Sequence, residues 1–338
     1  MKNLLYIGNK LSGHGFSVTS IETLGPLLEG EGYDLVYASS KKNKMARLLD
    51  MLSATIRLRN MADFVLIDTY STSNFWYAFL VSQLARILGI KYITMLRGGD
   101  LPKRLANHPR LCALIFNHAY KNVAPSGYLL DHFQKQGFRN MAYIPNTIEI
   151  DNYPFKKRAI EQPKLLWVRA FASIYNPFMA VEVFKVIKEQ FSEAKLCMVG
   201  PDKDGSLEKT KKLASAYGLD IKFTGKLSKA NWIRLSEDYN LFLNTTHFDN
   251  TPISIIEAMA LGLPVVSTNV GGIPFLLENN KTALLIDDGN TEAMTEAIKS
   301  IIKDKNTADS LARNARLKAE SFDWQQVKLF WNEILCEQ

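Results

Sequence analysis

Asn244-Thr245-Thr246-His247-Phe248-Asp249-Asn250-Thr251-Pro252-Ile253-Ser254-Ile255-Ile256-Glu257-Ala258-Met259-Ala260-Leu261-Gly262-Leu263-Pro264-Val265-Val266-Ser267-Thr268 reads as a strand end, a polar turn, a helix and a second strand. Leu241 to Asn244 is the apolar run that leads in. Pro252 falls where the first turn of a helix tolerates proline, and Gly262 marks the other end. A short strand, a helix and another short strand make a parallel βαβ unit, which places the chain in the α/β class.

The same stretch carries chemistry. The free N–H groups and dipole at the start of the helix make an anion site suited to a diphosphate. Asp249 precedes the helix, with Asn250 and Thr251 in the turn, and Glu257 lies about one and a half turns in. Carboxylates accept hydrogen bonds from vicinal hydroxyls, so one can hold a sugar ring and the other a ribose. Packing on a sheet accounts for Ile255, Ile256, Ala258, Met259 and Leu261, but not for an acid set among them.

Outward from this unit the rhythm continues. Residues 165–169, 195–200, 221–225, 241–244, 264–267 and 283–286 read as strands, with helices at 177–190, 207–217, 252–261 and 291–302. The first half has strands at 4–8, 35–38, 64–67, 92–96, 122–124 and 142–144, and helices at 20–29, 45–60 and 75–88. The turn-rich stretch 145–157 separates the halves, so the expected domains are 1–154 and 155–320, with a terminal helix at 321–338. Two successive βαβ sets predict two Rossmann-like domains, parallel sheets facing a central cleft, and ligands beyond the carboxyl ends of the strands.

Bulk composition agrees with two packed cores in 338 residues, 47% of them hydrophobic and 22% charged. Three well-separated cysteines without CxxC spacing favour a reducing compartment and no structural zinc. The N-terminal apolar run is too short for a signal-peptide core, and 75–88 is too short and too polar for a bilayer span, so a cytoplasmic protein is expected. The net charge of +7 is concentrated early: residues 1–154 hold 17 basic and 11 acidic groups against 24 and 23 in the remainder. Clusters at Lys41, Lys42, Lys44 and Arg47, at Arg57 and Arg59, and at Lys103, Arg104 and Arg110 suit a solvated surface or a peripheral contact with anionic lipid. No motif for nucleic-acid binding is present.

From Asp249 to Val266 the sequence resembles the family 4 glycosyltransferases of the GT-B fold, whose signature is an acid, seven residues, a Glu, Ala-Met-Ala and a Gly-x-Pro-Val-Val strand. The first acid is Asp249, where the family usually has Glu, and Pro252 stands where many members have Gly. The resemblance implies a retaining, metal-independent transferase moving a hexosyl-type sugar from a nucleotide-diphosphate sugar, UDP-sugar favoured, to a glycan or lipid-linked acceptor in cell-surface polysaccharide synthesis. It implies that Glu257 binds the ribose and Asp249 the donor sugar, with the amides of Ile253 and Ser254 towards sugar and phosphate. Leu165-Leu166-Trp167-Val168-Arg169 resembles the strand whose terminal Arg neutralises the diphosphate, through a planar fork that suits phosphate. The lysine usual about five residues later is absent from 172–177.

The resemblance extends to Gly200 in Met198-Val199-Gly200-Pro201 and Gly225 in Phe223-Thr224-Gly225, expected to close around the nucleotide, to Thr268-Asn269-Val270-Gly271-Gly272, which suits a simple loop equally well, and to Ser321-Phe322-Asp323-Trp324-Gln325-Gln326, which resembles the start of a helix that crosses back onto the first domain. In the first half, Gly8-Asn9-Lys10-Leu11-Ser12-Gly13-His14-Gly15 resembles the loop that approaches donor phosphate and acceptor, with Gly13 and His14 as site candidates. It fails the spelling of a P-loop and of a dinucleotide fingerprint. Arg97 and Gly98 occupy the segment where many members place a His-Gly pair near the acceptor, and Arg97 reads either as a site residue or as a strand-end surface cation. His247 is a loop residue facing the expected cleft, whereas His108, His118 and His132 read as surface or helix positions, and Asp202-Lys203-Asp204 as a solvated turn. Two rivals share the pattern: a catalytically silent sugar-nucleotide-binding protein and a nucleotide-sugar epimerase.

Overall fold

The structure, a computed structural model, describes residues 2–16 and 18–336 and divides into two compact units. The first holds the chain through Pro145 together with the segment from Trp324, and the second is Asn146–Asp323.

The first unit runs β1 (Asn3–Ile7), α1 (Ser20–Gly30), β2 (Asp34–Ala38), α2 (Lys44–Arg57), β3 (Phe64–Tyr70), α3 (Phe75–Ile87), β4 (Tyr92–Arg97), α4 (Leu101–Asn107), α5 (Pro109–Phe116), β5 (Lys121–Ala124), α6 (Gly127–Lys135) and β6 (Met141–Tyr143). Its strands form one parallel sheet in the order β2-β1-β3-β4-β5-β6. Strands such as Phe64-Val65-Leu66-Ile67 are apolar at consecutive positions because helices cover both faces. Ile21, Leu24 and Leu28 of α1 pack on one face. Met51 and Ala54 of α2, with Ala78, Val81 and Ala85 of α3, pack on the other.

The second unit runs β7 (Lys164–Val168), α7 (Pro177–Gln190), β8 (Lys195–Val199), α8 (Ser206–Ala216), β9 (Lys222–Gly225), α9 (Lys229–Ser236), β10 (Leu241–Asn244), α10 (Ile253–Ala260), β11 (Val265–Thr268), α11 (Ile273–Leu276), β12 (Leu284–Ile286), α12 (Thr291–Lys303) and α13 (Lys305–Glu320). Its parallel sheet has the order β12-β11-β10-β7-β8-β9. β7 lies between β8 and β10; α7 packs on one face of the sheet and α10 on the other. That reversal opens a crevice beyond the carboxyl ends of β7 and β10, the place where such sheets bind ligands.

The terminal helix, α14 (Trp324–Cys336), belongs to the first unit, where Trp324, Val327, Trp331, Ile334 and Leu335 join the α1 side of the core. The division between the units falls at 145/146, ahead of the 154/155 expected from the polar turn. Ile148 and Tyr153 explain the difference: both are buried in the second core beside Phe242 and Ile256, and the Ile148 amide donates to the Phe322 carbonyl at 2.9 Å.

Cys112 and Cys197 are buried and Cys336 is exposed. Burial pushes the Cys112 thiol up to about 11 and raises Cys197 as well, which suppresses the reactive thiolate. Ellman's reagent is therefore expected to titrate one thiol in the native chain and all three after denaturation. Rapid native reaction of two or more would show that these cores are open.

Candidate active site

The turn after β10 is built by the two threonines that follow the strand. Thr245 Oγ1 donates to the Asn176 carbonyl at 2.8 Å and accepts from Trp167 Nε1 at 3.1 Å. Thr246 Oγ1 donates to the Phe248 carbonyl at 2.8 Å, and Thr268 Oγ1 to the Thr246 carbonyl at 2.6 Å. These bonds tie the carboxyl end of β10 to the 173–176 turn after β7 and to the end of β11. The Gly272 amide then donates to the Asp249 carbonyl at 2.8 Å. A side chain at Gly272 would run into the Asn250 backbone, so glycine is required for this approach. Gly271-Gly272 is thus a wall of the Asp249 turn rather than a simple loop.

Pro252 is the N-cap of α10, with φ −70° and ψ 116°, and not a residue of its first turn. Its carbonyl accepts the Ile255 amide at 3.1 Å. The amides of Ile253 and Ser254 precede any intrahelical acceptor. The Ser254 hydroxyl is buried and has no hydrogen-bond partner among the described residues. The helix ends in a Schellman arrangement, Gly262 N–H to Met259 and Leu263 N–H to Ala258, which anchors its far end.

Arg169 follows β7 and pairs directly with Asp249. Its guanidinium lies 4.2 Å from the centre of the Tyr175 ring, and its Nε has no hydrogen-bond partner among the described residues. Burial pulls the guanidinium below its ordinary value, and Tyr175 opposes that pull. Gly200 sits against Arg169 with φ +151°, and any side chain there would strike the Arg169 backbone. The Gly200 amide donates to the Gly225 carbonyl at 2.9 Å, so both glycines border the same crevice.

Glu257 is 5% exposed, on the face of α10 that meets Tyr153 and Lys229. Its Oε1 accepts from the Tyr153 hydroxyl at 2.7 Å and pairs with Lys229 Nζ at 3.1 Å. Lys229 also donates to the Tyr153 hydroxyl at 3.4 Å. Among the described residues Oε2 makes no hydrogen bond, so one oxygen of this carboxylate is held and the other is open. Burial first, then the Glu257 charge, raises the Tyr153 phenol, which stays a proton donor.

In the first unit, Gly13 and His14 form an exposed single turn, Ser12–His14. His14 Nε2 lies 3.1 Å from the Ser40 carbonyl, and Ser12 is bound by the Glu22 carboxylate. Arg97 is not a strand-end surface cation: its Nε donates to Asp68 at 3.0 Å in a largely buried pair. Gly98 follows it at φ +81°. Burial raises the Asp68 carboxyl while Arg97 opposes, and its Oδ2 has no hydrogen-bond partner among the described residues. His247 is turned to Asp288, with Nδ1 2.8 Å from Oδ1. The Asp202-Lys203-Asp204 stretch is the exposed turn its sequence suggested, and its carboxylates also brace the backbone: Asp204 accepts from Ser173 at 2.8 Å, and Asp202 accepts from Gly205 at 3.1 Å ahead of α8. The Ser173 and Ser206 hydrogen bonds hold the Asp204 carboxyl well below its usual range.

Residues 149–318, half of the chain, match the family described as glycosyl transferases group 1. The chain belongs to that family. Among group 1 relatives, it is 27% identical to the sulfoquinovosyl transferase SQD2 of Arabidopsis thaliana over 43% of this chain and 28% of that protein. It is 24% identical to the capsular polysaccharide biosynthesis glycosyltransferase CapM of Staphylococcus aureus over 46% and 42%. The chain therefore matches less than half the length of either. The Anabaena HepE structure in complex with UDP superposes with a TM-score of 0.79 at 17% identity, covering 99% of this chain and 100% of that one, which establishes the GT-B fold.

Within the group 1 framework, four residues escaped the sequence reading: Tyr153, Tyr175, Lys229 and Asp68. Tyr153 and Lys229 reach Glu257 across 104 and 28 positions, separations that no local pattern reveals. Asp68 left a signal, an acid at the end of the buried run Phe64-Val65-Leu66-Ile67. Lys229 is a cation beside the acid in a chain without the expected lysine after Arg169.

Proposed function

We propose that this group 1 glycosyltransferase moves a hexosyl-type sugar from a nucleotide-diphosphate sugar, with uridine diphosphate as leaving group, to a glycan or lipid-linked acceptor in cell-surface polysaccharide synthesis. Transfer proceeds with retention and without a metal. One observation carries the reading: at the switch point of the second sheet, Arg169, the start of α10 and the open Oε2 of Glu257 bring together a cation, orphan donors and a hydroxyl acceptor.

Each group has a task. The diphosphate docks against the amides of Ile253 and Ser254, with the Ser254 hydroxyl as a further donor. Asn250 and Thr251 line the turn, and Gly200 and Gly225 allow the nucleotide to approach the backbone. Glu257 Oε2 accepts from the ribose while Tyr153 and Lys229 hold Oε1. As phosphate oxygens reach Arg169, the guanidinium exchanges one anionic partner for another and releases Asp249 to accept from the sugar hydroxyls. Charge that grows on the leaving group meets fixed dipoles and a fixed cation, which is electrostatic catalysis rather than proton transfer. UDP in the HepE complex and polysaccharide synthesis by CapM support the donor and the pathway class.

Because Arg169 and the helix dipole supply the positive charge, turnover of a UDP-sugar is expected to be unchanged after dialysis against EDTA. A loss restored by a divalent cation would overturn the metal-free reading. Incubating candidate donors with and without acceptor, followed by proton NMR of the anomeric signal, tests the reaction. Retained configuration in a new glycoside is expected; an epimerised donor without acceptor, or no change at all, would replace the proposal with an epimerase or a silent binder.

A further inference from the structure

The helices on one side of the first sheet carry a second apolar surface that points away from the core. On α2, Met45, Leu49 and Ile56 recur at helical spacing and are exposed, Met45 by 65% and Leu49 by 62%, while Met51 and Ala54 enter the core. On α3, Trp76, Leu80 and Ile87 do the same, Ile87 being 78% exposed. The two helices pack against each other, and α5 packs beside α3.

The charges around this surface are predominantly positive. Asp50 is the only acidic residue on α2, α3 and α5, whereas Lys44, Arg57, Arg86 and Arg110 lie on them. Exposed Lys41 and Lys42 precede α2, and exposed Arg59 follows it. An apolar stripe with a cationic border matches an interface whose interior is hydrocarbon and whose surface is anionic. A second copy of the chain fits worse, because an isologous contact would set these cations against themselves. No helix among the described residues is long and apolar enough to cross a membrane.

We propose that the α2–α3 face docks on an anionic lipid bilayer, lying on it with Met45, Leu49, Ile56, Trp76, Leu80 and Ile87 in the acyl boundary and the lysines and arginines at the headgroups. The docking stands apart from the transfer reaction and is tested without it. The whole chain is floated with phosphatidylcholine vesicles, with or without phosphatidylglycerol. Flotation is expected only with phosphatidylglycerol and weakens as salt is raised. The pair Lys41→Glu and Lys42→Glu, and separately the pair Leu49→Ser and Ile87→Ser, is each expected to lower partitioning roughly tenfold or more, by loss of headgroup attraction and of buried apolar area. All four positions are exposed, and unchanged thermal melting shows that the variants fold. The proposal is overturned by equal flotation with both vesicles, by no flotation, by variants that float like the parent, or by a dimer in light scattering that Leu49→Ser with Ile87→Ser dissociates, which would assign the face to a second copy.

Discussion

Replacing Glu257 by alanine is expected to lower kcat/KM for the nucleotide-sugar by about 10²- to 10³-fold. A hydrogen bond to a charged acceptor contributes ~1.5–3 kcal/mol, and a carboxylate facing two vicinal hydroxyls makes up to two. The open Oε2 is the atom left to make them under the proposed function, because Oε1 is already held by Tyr153 and Lys229. The same change leaves the buried Tyr153 hydroxyl without its acceptor, at a stability cost of ~1–3 kcal/mol, so melting must be followed alongside the rate. Glu257→Gln separates the effects: the amide oxygen still accepts from Tyr153, stability is retained, and kcat/KM falls by about tenfold. Near-parental turnover in a folded Glu257→Ala chain would remove the ribose from this end of α10.

The second large effect concerns the Arg169–Asp249 pair, which opposes its two members in a single experiment. Arg169→Ala removes the cation at the switch point and is expected to weaken uridine diphosphate binding by about 10²-fold, the loss of one or two charge-assisted hydrogen bonds. It also leaves the Asp249 carboxylate without its counter-ion, so a lower melting temperature accompanies it. Asp249→Asn has the opposite sign in binding. The guanidinium is freed from its carboxylate, the nucleotide no longer competes for it, and calorimetry is expected to show equal or tighter binding, while transfer falls because the sugar loses its acceptor. If Asp249→Asn weakened the nucleotide as much as Arg169→Ala, the exchange of partners at Arg169 would be wrong and the pair would be a fixed piece of scaffold.

The strands were legible because parallel sheets bury both faces, so Leu165-Leu166-Trp167 and Phe64-Val65-Leu66-Ile67 stand out as unbroken apolar runs. Arg169, Asp249 and the first turn of α10 were legible for a related reason: polar residues follow directly on those runs, where a strand delivers its chain to the carboxyl edge. What stayed hidden depends on separation along the chain. The turn-rich stretch around Tyr153 looked like a linker, yet its side chain is buried in the second core and its hydroxyl holds Glu257. Arg97 could be read as a surface cation because nothing next to it announces Asp68, 29 residues earlier, as its partner. Pro252 was displaced by one position, since proline suits both the end of an extended turn and the first turn of a helix, and only its ψ separates the two.

The return of α14 to the first core has a consequence for how the polypeptide matures. Trp324 and Trp331 are required on the α1 side of that sheet, where Glu31 accepts from Trp324 Nε1 at 3.1 Å and Tyr33 donates to Asn332 at 2.8 Å. On the ribosome the strands of the earlier body emerge first but wait, with one flank open, until the whole of the later body has been translated. The second body thus has every residue of its own core in hand before α14 is made, whereas the first body cannot cover its α1 flank until the last helix is delivered.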